Sequence, residues 1–227
     1  TSADGGWTEK GSYGPYFQMR RLEHYKKYLK QLEDAGQAYR CYCTPDEVEM
    51  MRMKAHLEKR PPKYDGTCRR LTQEERQSKE ASGRKWTLRF KMSQEGETVV
   101  NDLIRGEVHF ENALQQDLII QKTSGVPTYN FACVVDDHMM EMTHVIRAEE
   151  HLSNTPAQIC MYEALGWKPP QFAHLSMILG SDGTKLSKRH GATSVLEYKA
   201  QGYLPGAMRN YLALLGWATE TSQDIFE

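Results

Sequence analysis

Three cations fall within five residues of one polar loop. Residues 180–191 read GSDGTKLSKRHG and contain Lys185, Lys188 and Arg189. Such a loop can close over a polyphosphate and bring positive charge to the negative charge that develops during phosphoryl or nucleotidyl transfer. The alternative is an exposed basic turn, which is common, and the spacing by itself favours that turn.

Three of the five cysteines have the spacing of a metal site. One residue separates Cys41 from Cys43, and 24 residues separate Cys43 from Cys68, so the first two thiols can face one ion. A tetrahedral zinc site needs a fourth ligand, which these thiols do not supply. The alternative is a set of reduced thiols that bind no metal. Cys133 and Cys160 are expected to pack in the core.

Helices and strands alternate along the chain, which favours an α/β fold that positions these residues. Thr44 and Thr72 each stand three residues before a glutamate, the pattern of a helix N-terminus closed by a capping box. Helices are predicted at 22–35, 44–60, 72–83, 155–165 and 204–217, and strands at 86–90, 108–110, 117–121 and 131–135.

The composition excludes several classes of protein. The chain has 227 residues, of which 39% are hydrophobic and 26% charged, so it can bury a sizeable core and is not disordered. No apolar run approaches the roughly 20 residues that span a bilayer, so no membrane association is expected. The odd cysteine count and the lack of a basic-then-apolar leader predict a reducing, cytoplasmic location.

Charge is segregated along the chain although the net charge is only −1. Residues 52–91 contain 13 Lys and Arg against 5 Asp and Glu, whereas residues 92–163 contain 3 against 12. A basic segment beside an acidic one suggests that one region faces a polyanion. The alternative is a solvated helical surface that is rich in lysine and arginine, and charge alone slightly favours it.

The identities of the residues in the loop 180–191 reverse the preference for an exposed basic turn. KLSKR at residues 185–189 resembles the KMSKS loop of class I aminoacyl-tRNA synthetases, and its continuation to residue 195 resembles bacterial-type glutamyl-tRNA synthetases. Further stretches resemble the same family in colinear order over essentially the whole chain, at residues 64–69, 125–132, 134–138, 145–156 and 210–217.

The resemblance implies roles for individual residues. Lys185 and Lys188, with Arg189 beside them, would stabilise the pyrophosphate that leaves when glutamate attacks ATP. Tyr129 and Arg147 would bind glutamate, and a forked guanidinium suits a side-chain carboxylate. Taken singly, Tyr129 could instead be a core tyrosine, and Arg147 a partner of a neighbouring glutamate.

The same resemblance places other residues near this pocket. Cys133 occupies a position where relatives have a polar residue that lines the pocket, so its part in selectivity stays open. Residues 136–138, Asp-Asp-His, would lie at the end of a Rossmann strand, where parallel sheets bind ligands.

The resemblance offers two possible patterns of zinc ligands. Some bacterial family members have a Cys or His two residues after the third cysteine, but this chain has Arg70 there. A related family that glutamylates a modified tRNA base uses a Cys-x-Cys…Tyr-x3-Cys pattern. Cys41, Cys43, Tyr64 and Cys68 match that pattern, and zinc is therefore favoured slightly over metal-free thiols.

The fold implied is a class I Rossmann-type nucleotide-binding domain with an inserted acceptor-stem-binding α+β domain. Residues 1–40 would end the first Rossmann half and residues 41–122 would be the insertion. Residues 123–180 would be the second half, and residues 181–227 the signature loop and the start of a helical stem-contact domain. The RNA contacts would come from basic residues of the insertion, namely Arg52, Lys54, Lys59, Arg60, Lys63, Arg84 and Lys85.

The activity implied is that of a monomeric ligase that uses ATP with Mg²⁺ to activate L-glutamate and transfers it to the 3′ end of tRNA-Glu. The alternatives are the paralogue that glutamylates a queuosine-type base of tRNA-Asp and a non-catalytic RNA-binding or zinc-binding module. The family's HIGH motif, which contacts ATP phosphates, does not occur in residues 1–227, so these residues alone are expected to be catalytically incompetent.

Overall fold

A computed structural model describes residues 8–180, 182–186, 194–215, 221 and 223–226. By its internal contacts the chain divides into two compact units. The first comprises Thr1–Val145 and Ser153–Phe172, and the second comprises Ile146–Leu152 and Ala173–Glu227.

Seven α-helices and seven strands are formed by the described residues. The helices are α1 (Leu22–Asp34), α2 (Pro45–Leu57), α3 (Gln73–Ala81), α4 (Tyr129–Met139), α5 (Thr155–Ala164), α6 (Val195–Ala200) and α7 (Pro205–Leu214). The strands are β1 (Ala38–Cys41), β2 (Thr87–Phe90), β3 (Glu97–Asp102), β4 (Gly106–Glu111), β5 (Ile119–Gln121), β6 (His144–Ala148) and β7 (Gln171–Leu175). None of the helices in the described ranges has the length and apolar character that a membrane crossing requires.

The strands form two sheets. The first has the order β1-β2-β5 and is antiparallel, with Ala38 opposite Phe90 and Cys41 opposite Thr87. The second has the order β4-β3-β7-β6 and is mixed, because β3 is antiparallel to β4 but parallel to β7. Parallel pairing needs a long crossover, which the helices between β3 and β7 supply.

Capping chemistry defines where α2 and α3 begin. Thr44 accepts a hydrogen bond from the Glu47 backbone and Glu47 returns one to the Thr44 backbone, and Thr72 with Glu75 repeats this arrangement. The two predicted capping boxes are therefore confirmed. Helix α2 ends at Leu57, a turn earlier than the two prolines suggested, with Lys59 in the left-handed region at a φ of 54°.

The core of the first unit lies between α1, α4 and α5. Tyr25, Leu29 and Leu32 form the buried stripe of α1, as predicted from their spacing. They pack in one cluster with β2 and with the buried face of α4, which includes Phe131 and Val135.

The predicted strand at 131–135 is wrong, because these residues belong to α4. A run of five apolar residues cannot by periodicity distinguish a buried strand from a buried helix. The Ala132 N–H donates to the Thr128 carbonyl, which starts the helical hydrogen-bond pattern. Residues 136–138 consequently lie in the last turns of a helix and do not end a Rossmann strand.

An ion pair between a buried arginine and a partly exposed carboxylate joins the start of α1 to α4. Arg21 is 1% exposed and its Nε donates to Asp136 at 2.6 Å. The Tyr25 hydroxyl donates to the same carboxylate at 2.8 Å, and burial together with this contact raises the pKa of Tyr25. Arg21 Nη1 also donates to the Pro15 carbonyl at 2.7 Å, so the segment before α1 is held to the same point.

A buried carboxylate, that of Asp117, organises the three-stranded sheet. Asp117 is 4% exposed and accepts hydrogen bonds from the Tyr39 hydroxyl at 2.6 Å, Arg69 Nη1 at 2.9 Å and the Met92 N–H at 2.9 Å. Its backbone carbonyl accepts from Arg89 Nη1 at 2.7 Å. One residue thus fixes both arginines that flank the cysteine cluster described below.

Asp117→Asn should lower the free energy of unfolding by about 2–3 kcal/mol, because an amide cannot satisfy three donors and leaves Arg69 without its counter-charge. Denaturant unfolding measures the change. The matched control is Glu23→Gln, which removes an exposed ion pair with Lys26 and should cost less than about 0.5 kcal/mol. Equal effects of the two variants would contradict the role given to Asp117.

Candidate functional site

Strands β6 and β7 lie side by side and run in the same direction. The Gln171 N–H donates to the Thr143 carbonyl at 3.0 Å, next to the start of both strands. Near their ends, Arg147 Nε donates to His174 Nε2 at 3.1 Å. Ligands of such sheets bind at the carboxyl ends of parallel strands, which is where Arg147 and His174 stand.

Arg147 is half-buried, whereas His174 is fully buried at 0% exposure. The guanidinium is therefore anchored on one side by the neighbouring strand. A fixed, partly desolvated guanidinium can recognise a carboxylate through two parallel hydrogen bonds.

Two glutamates that follow β6 hold the chain that follows β7. Glu149 Oε1 accepts from the Met177 N–H at 3.1 Å. Glu150 Oε2 accepts from Lys185 Nζ at 2.5 Å, and this hydrogen bond lowers the pKa of the Glu150 carboxyl. Arg147, Glu149 and Glu150 thus contact three successive points of one later segment.

Lys185 projects from a short hairpin. The Gly180 N–H donates to the Thr184 carbonyl at 2.8 Å and the Leu186 N–H donates to the Ile178 carbonyl at 2.9 Å. Asp182 stabilises the turn by accepting from the Thr184 N–H at 2.9 Å. The other two predicted cations, Lys188 and Arg189, lie outside the described residues.

Tyr129 and Cys133 lie on α4 in the first unit. Their spacing of four residues places both side chains on one face of the helix. Tyr129 is 51% exposed, which excludes the core-tyrosine alternative. Cys133 is half-buried, so the prediction that it packs in the core is only partly met.

The predicted cysteine ligands come together. The Sγ atoms of Cys41, Cys43 and Cys68 lie within 4.8 Å of one another, and those of Cys43 and Cys68 are 3.6 Å apart. The Tyr64 hydroxyl is 3.5 Å from Cys41 Sγ and 3.9 Å from Cys43 Sγ. Gly66, with a φ of 76°, makes the turn that lets the 3-10 helix Thr67–Arg70 present Cys68.

The surroundings of this cluster favour a thiolate at Cys41 and a thiol at Cys43. The Tyr42 N–H donates to Cys68 Sγ at 3.3 Å, and the Cys68 N–H donates to the Tyr64 oxygen at 2.8 Å. Hydrogen bonds from the Cys43 and Cys68 thiols lower the pKa of Cys41, whereas contacts with Cys41 and Cys68 raise the pKa of Cys43. The buried Arg89 guanidinium stands 3.8 Å from the centre of the Tyr64 ring.

Three sulfurs and one phenol oxygen in this arrangement suit a tetrahedral zinc ion. Burial raises the pKa of Tyr64, and zinc bound at this site would favour loss of the phenol proton. Arg70, at the position where some relatives have a fourth ligand, donates to the Asp65 carbonyl at 2.9 Å instead.

The predicted RNA-binding cations separate into two groups. Lys54, Arg60 and Lys63 line a cavity of about 400 Å³ together with Arg69 and Arg70. Arg84 and Lys85 line a second cavity of about 640 Å³ together with Arg40 and Lys122. Arg52 and Lys59 are exposed and line neither cavity.

Residues 5–227 match the family described as tRNA synthetases class I (E and Q), catalytic domain. The chain belongs to this family. The fold-class prediction is confirmed, since the chain is a class I synthetase catalytic domain of mixed helices and sheets.

Named relatives and a solved structure agree with this assignment. The glutamate–tRNA ligase of Elusimicrobium minutum is 58% identical over 220 residues, which are 96% of this chain and 45% of that protein. Glutamate–tRNA ligase 2 of Thermoanaerobacter pseudethanolicus is 55% identical over 94% of this chain and 45% of that protein. The crystal structure of glutamate-tRNA synthetase from Elizabethkingia anophelis matches with a TM-score of 0.85 and 34% identity, over 96% of this chain and 49% of that chain. The chain therefore spans less than half the length of these relatives.

The sequence did not predict every residue of the candidate site. His174 was not predicted, because a single polar residue in a short apolar segment carries no pattern, and Glu149 was considered only as a neighbour that could pair with Arg147. Arg69 and Arg70 lie in the basic segment that the charge count identified, and they could have been included with the RNA-binding set.

Proposed function

We propose that the protein is a glutamate–tRNA ligase. It activates L-glutamate with ATP, taken up as its Mg²⁺ complex, and transfers the glutamyl group to the 3′ end of tRNA-Glu. The observation that carries the proposal is Arg147, a guanidinium anchored by His174 at the carboxyl ends of two parallel strands. The names of the similar proteins point to the same activity.

In the activation step, an α-carboxylate oxygen of glutamate attacks the α-phosphorus of ATP, and pyrophosphate leaves. Negative charge builds up on the leaving group, and Lys185, Lys188 and Arg189 supply the compensating cations. In the structure, Lys185 is bound to Glu150, so it must leave that carboxylate before it can reach a phosphate.

Selectivity for glutamate follows from the charge of the pocket. Arg147 binds the side-chain carboxylate. Tyr129 is a further residue that we propose contacts glutamate, and Cys133 lies one helical turn away from it on α4. A glutamine amide offers only one acceptor and no charge, so it would leave the guanidinium poorly satisfied.

The zinc site and the tRNA contacts both lie in the proposed insertion, residues 41–122. Cys41, Cys43, Tyr64 and Cys68 hold the ion, and the basic residues of the two cavities contact tRNA phosphates. Residues 1–40 and 123–180 form the two Rossmann portions, and residues 181–227 form the signature loop and the start of the stem-contact domain. The enzyme acts as a monomer in the cytoplasm.

A second candidate function is glutamylation of a queuosine-type base of tRNA-Asp. It is favoured by one observation, the position of the Tyr64 hydroxyl beside the thiols, which fits the ligand pattern of that paralogue. Charging assays separate the two candidates, since only the ligase esterifies the 3′ end of tRNA-Glu.

The full-length protein should catalyse ATP–pyrophosphate exchange that depends on L-glutamate and not on L-glutamine. Arg147→Ala should lower kcat/KM for glutamate by at least about 100-fold, because the substrate carboxylate would be buried without its cation. Arg105→Ala, at the exposed turn between β3 and β4, is the control and should behave like wild type. Wild-type glutamate kinetics in Arg147→Ala would refute the pocket assignment.

Purified protein prepared without chelators should contain about one zinc ion per chain by elemental analysis. Cys43→Ala should lose the ion, and Tyr64→Phe should weaken zinc affinity by at least about 10-fold. Cys160→Ser, which alters a cysteine outside the cluster, should keep the wild-type zinc content. Absence of zinc from the wild-type protein would establish the metal-free alternative.

Affinity for tRNA should fall steeply with salt, because phosphate contacts release counterions. The double variant Lys54→Gln/Arg60→Gln should reduce the slope of log affinity against log salt by about 2. Lys26→Gln/Lys30→Gln removes two exposed cations of α1 that lie outside both cavities and should leave the slope unchanged. An affinity that does not vary between low and moderate salt would contradict the RNA assignment.

A further inference from the structure

Helix α3 lies in the first unit but has no apolar face. Its residues are polar except for Ala81 and none of them is buried, so the helix gains little from hydrophobic packing. One face of the helix lines a cavity of about 420 Å³, which we call the α3 cavity. The residues of that face are Gln73, Arg76, Gln77 and Glu80, which have the spacing of neighbours on a helix. Helix α3 thus covers a polar space and not an apolar core.

Carboxylates bind two of the four cations that line the α3 cavity, namely Arg40 and Arg69. Arg40 Nε binds Glu33 at 2.7 Å, and Arg40 Nη1 binds Glu80 at 2.8 Å. Arg69 Nη1 binds the buried Asp117 carboxylate at 2.9 Å. The cavity keeps a surplus of positive charge, because its four cations face only these three carboxylates.

The other two cations that line the cavity are Arg76 and Lys91. Neither side chain forms an ion pair with a residue in the described part of the chain. Arg76 Nε is buried, and within the same residues it has no hydrogen-bond partner. A buried donor without an acceptor costs free energy, which a bound anion would recover. A cleft that holds cations without counter-charges also attracts anions from solution.

The donors around the α3 cavity suit a phosphate group better than a carboxylate. Arg76 offers the N–H groups of its guanidinium, Lys91 offers an ammonium, and Gln73 and Gln77 offer side-chain amides. Because Lys91 follows β2 whereas the other three belong to α3, these donors can contact a ligand from more than one side. A phosphate group has more acceptor oxygens than a planar carboxylate and carries more negative charge, so it can use more of these donors.

We propose that the α3 cavity is a binding site for a phosphate group, which Arg76 and Lys91 hold together with the amides of Gln73 and Gln77. Two sources present this chemistry, a free phosphate compound and a backbone phosphate of RNA. None of the seven basic residues predicted from the sequence to bind RNA lines the α3 cavity. The inference goes beyond the proposed function, and it does not depend on ligase activity.

Titration calorimetry with inorganic phosphate tests the site in the full-length protein, without nucleotide and with ionic strength held constant by chloride. The dissociation constant should be on the order of 1 mM. Arg76→Gln and Lys91→Gln should each weaken binding by at least about 10-fold, because each removes a charged donor. The matched control is Lys79→Gln, which makes the same change of charge on α3 outside the cavity and should stay within about 2-fold of wild type.

Thermal unfolding without phosphate separates a binding role of Arg76 from a structural one. Arg76→Gln should unfold at or above the wild-type temperature, because the substitution removes a buried unsatisfied donor and a surplus positive charge. Lys91 is exposed, so Lys91→Gln tests the site without disturbing buried packing. If Arg76→Gln lowers the unfolding temperature and Lys91→Gln keeps wild-type phosphate affinity, Arg76 is structural and the inference is overturned.

The salt dependence of tRNA-Glu binding identifies the source of the phosphate. If an RNA phosphate occupies the site, the double variant Arg76→Gln/Lys91→Gln should reduce the slope of log affinity against log salt by about 2. If a free phosphate compound occupies it, the slope should stay at the wild-type value while affinity for inorganic phosphate is lost.

The inference is overturned if inorganic phosphate binds equally to wild type, Arg76→Gln, Lys91→Gln and Lys79→Gln, or to none of them, and the tRNA slope is also unchanged in the double variant. This result is distinct from failure of the proposed function. A protein without ligase activity or without salt-dependent tRNA binding would refute that function, whereas calorimetry would still decide whether the α3 cavity binds phosphate.

Discussion

The candidate chemistry depends on a set of hydrogen bonds that join the end of β6 and the residues just after it to β7 and the chain that follows β7. Arg147, Glu149 and Glu150 are almost consecutive, and they contact His174, the Met177 backbone and Lys185 in the same order. Since β6 and β7 are parallel neighbours, both segments leave the sheet at one edge. The residue that would recognise the amino acid and one that would stabilise the leaving group are thereby held by a single short stretch of sequence.

The ion pair with Glu150 holds the Lys185 side chain in the structure. Lys185 is 58% exposed and Glu150 is 38% exposed, so the pair is worth little in free energy and can be broken by a stronger anion. A triphosphate carries several negative charges where Glu150 carries one. The structure therefore holds Lys185 by a weak ion pair near the place where we propose that it acts, and the lysine can be released at small cost.

In the first unit, the buried carboxylate of Asp117 fixes the residues that surround the candidate zinc ligands. Asp117 accepts from Arg69, which follows Cys68, and its carbonyl accepts from Arg89, which lies over the Tyr64 ring. Two of the four candidate zinc ligands are thus supported by residues fixed to one side chain. Positive charge from Arg89 beside the cluster is appropriate, because three thiolates and a phenolate around Zn²⁺ would carry a net charge of −2.

Sequence patterns that involve only neighbouring residues correctly predicted where two helices begin. Thr44 and Thr72 marked two helix starts because their capping boxes involve residues only three apart. Residues 131–135 were predicted as a strand because a short run of buried apolar residues has the same pattern in a strand and in a helix. Tertiary packing stabilises the helix here. The cysteine spacing indicated a cluster, but Tyr64 entered only through resemblance. The contact of His174 with Arg147 could not be predicted, since the two residues are 27 positions apart and only strand pairing brings them together.

The most direct test of the account is a crystal structure of the full-length protein with L-glutamate and a non-hydrolysable ATP analogue. In this complex the Arg147 guanidinium should bind the side-chain carboxylate while Nε remains on His174, and Lys185 should have moved from Glu150 to a phosphate oxygen. A glutamate side chain bound by other residues, with Arg147 turned away from it, would contradict the account.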